Sequence, residues 1–159
     1  MMIGVILDSP VGRLRVEADE TVITSIHFHA KEPVSGGRRT GVLADLESQL
    51  RLYFSGRLER FDVPFAPKGT PFQQDVWREL TMIPYGETRS YADIAKKIGR
   101  PDAVRAVGAA NGQNPIPIVI PCHRVIGSNG KLTGFGGGLP AKRFLLALES
   151  GQKSLRIGD

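Results

Sequence analysis

The single cysteine of the chain, Cys122, is the residue whose surroundings most clearly suggest chemistry. It lies in the run Ile-Pro-Cys-His-Arg-Val at residues 120–125, directly before His123. The thiolate is the reactive form of cysteine, and a neighbouring histidine or positive field lowers the thiol pKa from about 8.5 toward neutrality. This pattern favours a nucleophilic thiol. The alternative interpretation is a small buried hydrophobic side chain with no chemical role.

A cysteine nucleophile needs a base and a third group that orients that base. Adjacent residues on a strand point to opposite faces, so an extended run would separate His123 from the Cys122 sulfur. A bridging water or a kink at Pro121 would then be required. Glu149 is the only acidic residue between Cys122 and the C-terminal Asp159, which makes it the candidate to orient His123. From these residues alone, a hydrolase and a transferase both remain open.

Several helices are predicted around this run. Thr70-Pro71-Phe72-Gln73 has the form of a capped helix start, and Pro84-Tyr85-Gly86 ends that helix. Ser90 caps a second helix, and a third runs from about Asp102 to Ala110 with Val104 and Val107 inward and Arg105 outward. Two short helices joined by a glycine-containing turn indicate a helix-turn-helix, which presents its second helix to a DNA groove. A plain helical hairpin is the alternative.

Positive charge is concentrated in the second half of the chain. Residues 1–68 hold nine basic and nine acidic side chains, whereas residues 69–159 hold twelve basic and seven acidic ones. The surplus in the second half accounts for the whole net charge of +5. Phosphate neutralisation by such a surface gives sequence-independent affinity for a polyanion. A modest surplus that merely aids solubility is the alternative.

The first half predicts a small α/β unit. Three short runs before residue 30 alternate apolar and polar side chains, which predicts a three-stranded antiparallel meander. His27 and His29 are expected on one exposed strand face. Residues 31–41 form a polar loop, and apolar side chains at helical spacing then predict one covering helix: Leu43, Leu46, Leu50 and Tyr53. The proline-containing stretch 61–69 is the predicted boundary between domains 1–68 and 69–159.

Beyond Cys122, the sequence predicts a β-hairpin over residues 125–132 with Asn129-Gly130 as its turn. The following Gly134-Phe135-Gly136-Gly137-Gly138 lacks the features of a phosphate loop. Its bare backbone would let a flat molecule approach closely. A last helix opens at Pro140 and ends near Glu149, and residues 151–159 form a tail.

These elements together resemble the O6-alkylguanine-DNA alkyltransferases, a family of DNA-repair methyltransferases. The resemblance spans residues 71–149 and rests on the following runs: Pro71-Phe72-Gln73 with Val76-Trp77, Ile83-Pro84-Tyr85-Gly86, Ser90-Tyr91, Arg105-Ala106-Val107-Gly108, Asn114-Pro115, Ile120 to Val125, Gly137-Gly138-Leu139, and Lys142 to Glu149. It implies an α/β fold of the α+β kind. The first domain would be ribonuclease H-like, with a three-stranded antiparallel sheet and a covering helix. The second would be helical and winged-helix-like, with a helix-turn-helix.

The resemblance also implies a role for each matching catalytic position. Cys122 would take the alkyl group from guanine O6, or from O4-alkylthymine, in a single turnover. His123 would act as base through a water, and Glu149 would polarise His123. Tyr91 would donate to guanine N3, and Asn114 would brace the active-site turn against the recognition helix.

Further positions would bind a base flipped out of double-stranded DNA. Arg105 would enter the base stack, and small residues beside it would lie close to the minor groove: Ala106, Gly108 and Ala109. The carbonyls of Cys122 and Val125 would read the exocyclic amine. Phe135 and Gly136 replace a tyrosine and a serine common in the family, which keeps an apolar wall and a backbone N–H near O6.

Several absences are expected. The first half has no cysteine, so we predict neither the structural zinc of some relatives nor a second methyl-accepting residue. No cofactor and no secretory or membrane segment is expected, and a single cysteine is typical of a reducing cytoplasm. The resemblance implies a monomer. Two other readings stay open: a lesion-binding module without chemistry and a Cys-His hydrolase.

Overall fold

The computed structural model describes residues 2–36, 39 and 41–151. The first half begins with three strands: β1 (Ile3–Leu7), β2 (Leu14–Ala18) and β3 (Ile23–His27). They form one antiparallel sheet in the order β1-β2-β3, which confirms the predicted meander. β3 ends at His27, and His29 has a positive φ of 56°. The two histidines are exposed as expected, but they do not share a strand face.

One helix covers this sheet. α1 (Gly41–Phe54) buries Leu43, Leu46, Leu50 and Tyr53, which confirms the predicted spacing. The following connector is tied to the sheet edge, because Ile23 N–H donates to Pro64 O at 2.9 Å and Ala66 N–H donates to Ile23 O at 3.0 Å. In the predicted loop 31–41, residues 37, 38 and 40 lie outside the described residues.

The second half is mainly helical, with α2 (Pro71–Leu80), α3 (Tyr91–Lys97), α4 (Val104–Gly112) and α5 (Leu139–Glu149). The capped start predicted at Thr70 and the cap predicted at Ser90 are both formed, and in the structure each is a reciprocal capping box. α2, α3 and α4 pack on one another, and the Trp77 indole donates to Ala110 O at 2.8 Å. The two helices of the predicted helix-turn-helix are therefore present and in contact.

α4 differs from its prediction at both ends. It starts at Val104 rather than near Asp102 and continues to Gly112. Val104 is 37% exposed, so the prediction that it points inward is wrong. The buried side chains of α4 lie closer to its C-terminal end, at Val107, Ala110 and Asn111. As the first helical residue, Val104 lies beyond that packed segment.

The segment around Cys122 also differs from expectation. Cys122–Arg124 is a 3-10 turn rather than a strand, so the alternation argument that separated His123 from Cys122 does not apply. β5 (Val125–Ile126) pairs in parallel with β4 (Arg89–Ser90). The predicted hairpin over 125–132 is therefore wrong, although Gly127 N–H donates to Lys131 O at 3.0 Å and closes a turn. The partner of β5 lies 36 residues earlier in the chain, a distant contact that no local turn signal encodes.

One apolar core runs through both halves, from the β-sheet and α1 to α2, α4 and α5. The predicted last helix is confirmed, and most of the predicted tail, residues 152–159, lies outside the described residues. Within the part of the chain that the structure describes, no helix has the length and apolarity needed to cross a membrane.

Candidate active site

Cys122 lines a small cavity at the junction of the two halves. The cavity has a volume of about 260 Å³, and Cys122 itself is only 5% exposed. Its wall combines β3 and the residue after it with α4 and the glycine-rich loop: Ile26, His27, Phe28, Asn111, Gly112, Asn114, Pro117, Gly134, Phe135 and Gly136. The predicted nucleophile therefore faces a pocket of limited size with mixed polar and apolar walls.

His123 is fully buried and bonded to Glu149, with 2.7 Å between Nε2 and Oε2. The sequence prediction that Glu149 orients His123 thus corresponds to a direct contact. Because the carboxylate can only accept, Nε2 carries the proton and Nδ1 keeps its lone pair. Nδ1 is buried and has no hydrogen-bond partner among the described residues. Burial lowers the pKa of His123 and outweighs the opposing effect of Glu149, so the imidazole is neutral and can accept a proton at Nδ1.

Glu149 is held by more donors than the sequence predicts. Arg124 donates from Nε to Oε1 at 2.7 Å and from its second terminal nitrogen to Oε2 at 3.0 Å. The Tyr53 hydroxyl, from α1, donates to Oε2 at 2.5 Å. Burial alone would raise the pKa of Glu149, but the hydrogen bonds and charges of His123 and Arg124 lower it to about 2. The carboxylate is therefore ionised throughout the physiological range.

The Cys122 thiol is protonated in the resting protein. Burial raises its pKa to about 11, against smaller lowering effects of the Asn114 side chain and the Lys142 charge. Lys142 is itself buried, and its ammonium donates to Val125 O at 2.7 Å and to Thr133 O at 3.3 Å. A reaction at sulfur therefore needs a base at the moment of attack, because the thiolate is scarce at rest.

The turn that carries Cys122 is braced by two asparagines. Asn114 donates from Nδ2 to Ile120 O at 2.7 Å and accepts from Ile116 N–H at 3.0 Å. Asn111, on α4, donates to Cys122 O at 3.3 Å. Ile118 has a φ of 75°, a strained value for a β-branched residue, and lies within a turn in which Ile120 N–H donates to Ile116 O at 2.9 Å. Asn114 thus closes the loop itself, while the link to the helix comes from Asn111.

Tyr91 and Val125 lie beside the cavity rather than on its wall. The half-buried Tyr91 shares a hydrogen bond with the Thr133 hydroxyl, directly before the glycine-rich loop. The Val125 carbonyl already accepts from Lys142, and the Cys122 carbonyl from Asn111. Each carbonyl oxygen has a second lone pair with which it can accept another donor.

Phe135 and Gly136 are placed on the cavity wall by contacts with the first half. The Phe135 ring meets Phe28 edge to face, with 5.3 Å between centroids. His29 bonds through Nε2 to Gly137 O at 2.8 Å. A Cβ at Gly137 would lie 2.9 Å from the Phe28 ring, so this close approach requires glycine.

The outer face of α4 carries the predicted DNA-contacting residues. Arg105, Ala106 and Ala109 are exposed, and Gly108 is half-buried against the Tyr91 ring. Small side chains leave this face nearly flat, with Arg105 as its one long projection. Among the described residues, no three His, Cys, Asp or Glu side chains are grouped so that they could hold a metal ion.

Sequence reasoning missed Arg124, Tyr53, Lys142 and Asn111 as parts of the site. Arg124 and Lys142 lie within the sequence runs that resemble the family, but the resemblance assigned no role to either residue. A charged side chain is almost never fully buried unless it is paired, and sequence alone does not show burial. Tyr53 was predicted as an ordinary core residue of α1, and nothing in its spacing distinguishes it.

Comparison with known proteins places this site in a family. Residues 71–151 match the profile described as "6-O-methylguanine DNA methyltransferase, DNA binding domain". Residues 2–67 match "6-O-methylguanine DNA methyltransferase, ribonuclease-like domain". The chain belongs to the 6-O-methylguanine DNA methyltransferase family. The α/β fold with its antiparallel sheet and helical second half is the fold of this family's solved members.

Individual members of the 6-O-methylguanine DNA methyltransferase family are similar over nearly the whole chain. The methylated-DNA–protein-cysteine methyltransferase of Methanosarcina acetivorans is 49% identical over 149 residues, covering 91% of this chain and 96% of its own length. That of Mycolicibacterium paratuberculosis is 51% identical, with 90% and 89% covered. The crystal structure of Mycobacterium tuberculosis OGT in complex with DNA superposes with a TM-score of 0.83 at 49% identity, and 92% of each chain is covered.

Proposed function

We propose that this protein repairs DNA by moving an alkyl group from O6 of a damaged guanine to the sulfur of Cys122. The observation that carries the proposal is the buried His123–Glu149 pair, which directly follows Cys122 in a 3-10 turn. The imidazole is neutral with Nδ1 unpartnered among the described residues, and the protonated Cys122 thiol lines a small cavity. The relatives are methylated-DNA–protein-cysteine methyltransferases, and their activity supports the same assignment.

The reaction we propose is one direct displacement. The Cys122 proton passes, through a water, to Nδ1 of His123, and Glu149 stabilises the resulting imidazolium. The sulfur attacks the alkyl carbon, so a carbon–sulfur bond forms while the carbon–O6 bond breaks. The electron pair of that bond stays with guanine, and Tyr91 gives its hydroxyl proton to N3 so that the purine leaves as a neutral species. The resulting Tyr91 phenolate regains a proton from solvent, and the His123 imidazolium returns the Cys122 proton to solvent.

The product thioether is stable, and this leads to a single turnover. Cys122 is the only cysteine in the chain, so no second thiol can accept the alkyl group or exchange with it. A carbon–sulfur bond of this kind does not hydrolyse under physiological conditions. Each molecule therefore repairs one lesion and is consumed, and no cofactor takes part.

The damaged nucleotide must leave the duplex, because a thiol in a buried cavity cannot reach a stacked base. We propose that α4 lies along the minor groove with Arg105 filling the gap in the stack. Ala106, Gly108 and Ala109 allow the close approach, and phosphate contacts supply affinity. The complex of the Mycobacterium tuberculosis relative with DNA supports DNA as the partner, which we propose is double-stranded.

Other features of the proposal follow from the same assignment. Phe135 and Gly136 form the wall beside O6, and the carbonyls of Cys122 and Val125 meet the exocyclic amine. We also propose O4-alkylthymine as a second substrate, because a cavity that admits a purine has room for the smaller pyrimidine ring. We further propose a cytoplasmic monomer divided into a domain of residues 1–68 and one of residues 69–159.

The test is the stoichiometry of repair on a duplex containing one O6-methylguanine. We expect repaired DNA to rise linearly with protein and to stop at one lesion per molecule, and Cys122→Ala to repair none. Repaired DNA in excess of protein would indicate turnover and contradict the proposal. Lesion binding without repair by the unaltered protein would instead favour a damage-recognition module.

A further inference from the structure

The first half of the chain contributes one polar group directly to the buried network of the active site. Tyr53 is fully buried, and its hydroxyl donates to Glu149 Oε2 at 2.5 Å. The same oxygen accepts from His123 Nε2 at 2.7 Å and from Arg124 at 3.0 Å. Tyr53 and His123 therefore share one carboxylate oxygen, although 70 residues separate them in the sequence.

We propose that Tyr53 is a positioning residue for alkyl transfer, which limits the basicity of Glu149 and so keeps His123 neutral and ready to accept the Cys122 proton. This inference rests on the proposed function, in which His123 is the base. It assigns a chemical role to α1, and therefore to the first half of the chain, beyond that of a scaffold.

The protonation states at this contact follow from their surroundings. Burial, and then the charge of Glu149, raise the pKa of Tyr53 well above its usual value, so its hydroxyl keeps its proton. The pKa of Glu149 is about 2, so its carboxylate is ionised at any pH well above that value. Tyr53 is therefore the donor and Glu149 the acceptor at every pH at which the transfer would be measured.

A carboxylate beside an imidazole favours the imidazolium, and a carboxylate that already accepts other donors does so less strongly. Removing the Tyr53 hydroxyl leaves the Glu149 carboxylate with one hydrogen-bond donor fewer, so its negative charge is less well stabilised. His123 then holds a proton more tightly. The transfer needs the neutral imidazole, so its rate on the acidic side of the pH profile falls.

The other groups around this pair do not replace Tyr53. Arg124 and Lys142 oppose protonation of His123 by their charge, and the Cys122 thiol is itself protonated. Tyr85 interacts with Glu149 only through space, since its hydroxyl donates instead to Leu148 O at 3.5 Å. Among the described residues, Tyr53 supplies the hydrogen bond to Glu149 that comes from outside the second half.

The experiment compares single-turnover transfer rates across pH for the unaltered protein, Tyr53→Phe and Tyr85→Phe. Tyr85 is a matched control, because its ring contacts that of Tyr53 at 6.4 Å and the substitution also removes one hydroxyl. We expect the acidic limb to move to higher pH in Tyr53→Phe alone. The rate on that limb falls roughly threefold or more, since a hydrogen bond to a charged group is worth at least such a factor. The rate on the alkaline plateau stays within about twofold of that of the unaltered protein.

A second measurement reads His123 without the reaction. In a Cys122→Ala background, NMR titration of the His123 ring should show protonation at higher pH when Tyr53→Phe is added, and no change with Tyr85→Phe. The inference is overturned if Tyr53→Phe moves neither the acidic limb of the rate profile nor the titration of His123. It is also overturned if Tyr53→Phe slows the transfer equally at every pH, because that result indicates a merely structural role. If the unaltered protein transfers no alkyl group, the proposed function itself fails.

Discussion

Replacing Glu149 with glutamine removes the charge on which the buried network depends. Its carboxylate accepts from His123, Arg124 and Tyr53, and its side chain is 2% exposed. In the folded protein its pKa is about 2 against an ordinary 4.5. That difference corresponds to about 3 kcal/mol of stability at neutral pH, at about 1.4 kcal/mol per pKa unit. Loss of one partner of a buried ion pair costs a similar amount, about 3–5 kcal/mol.

The sign of the pH dependence follows from the lowered pKa. Stability from an acid whose pKa is depressed on folding is complete above the unfolded value and is lost as the pH falls toward the folded value. For Glu149 this window runs from 4.5 down to about 2. At pH 3 about half of the contribution remains, so the difference between the unaltered protein and Glu149→Gln shrinks by about 2 kcal/mol between pH 7 and pH 3.

Urea denaturation at pH 7 and pH 3 measures both quantities. Glu87→Gln is the matched control, because Glu87 pairs with Arg89 at the surface at 3.1 Å and its side chain is 53% exposed. We expect that control to change the free energy of unfolding by less than about 1 kcal/mol at either pH. A difference for Glu149→Gln below about 1 kcal/mol at pH 7, or one that is equal at both pH values, would refute the reasoning.

Three further predictions concern the surroundings of the site. Lys142→Met removes a charge that lowers the Cys122 pKa, so alkylation of the folded protein by iodoacetamide at pH 8 should become slower. An unchanged rate would show that Lys142 does not act on the thiol. Trp77→Phe leaves Ala110 O without its donor and should lower the free energy of unfolding, measured by urea denaturation, by about 1–3 kcal/mol. A smaller loss would mean that water replaces the indole as donor. Methylation of the Cys122 sulfur, which interacts with the Asn114 side chain, should crowd that side chain at a cost of about 1–3 kcal/mol and lower the melting temperature. An equal or higher melting temperature would contradict this crowding.

Local sequence signals were sufficient for most of the helices and for the first sheet. The reciprocal caps at Thr70 and Ser90 depend on residues three positions apart, and both are formed. The buried face of α1 depends on the spacing of apolar residues within one helix, and this prediction is also confirmed. Such features are encoded within a few residues, so a single sequence reveals them.

Features that depend on distant partners were not predictable in this way. Whether Val125–Ile126 forms a hairpin or a parallel pair depends on Arg89–Ser90, which lies far away in the sequence. The turn at Cys122 is braced by hydrogen bonds from Asn111 to Cys122 O and from Asn114 to Ile120 O, which residue types within the turn do not indicate. The resemblance to a family indicated that Glu149 acts on His123 and His123 on Cys122. The hydrogen bond from Tyr53 to the Glu149 oxygen that also accepts from His123 is visible only in the structure.

The most direct test of the account is the mass of the intact protein after exposure to a duplex that contains O6-methylguanine. We expect one added methyl group per molecule, located by peptide mapping at Cys122, with no further addition when the DNA is in excess. Glu149→Gln should reach the same end point more slowly, whereas Cys122→Ala should gain nothing. An unmodified protein beside repaired DNA, or a methyl group on any other residue, would contradict the central claim.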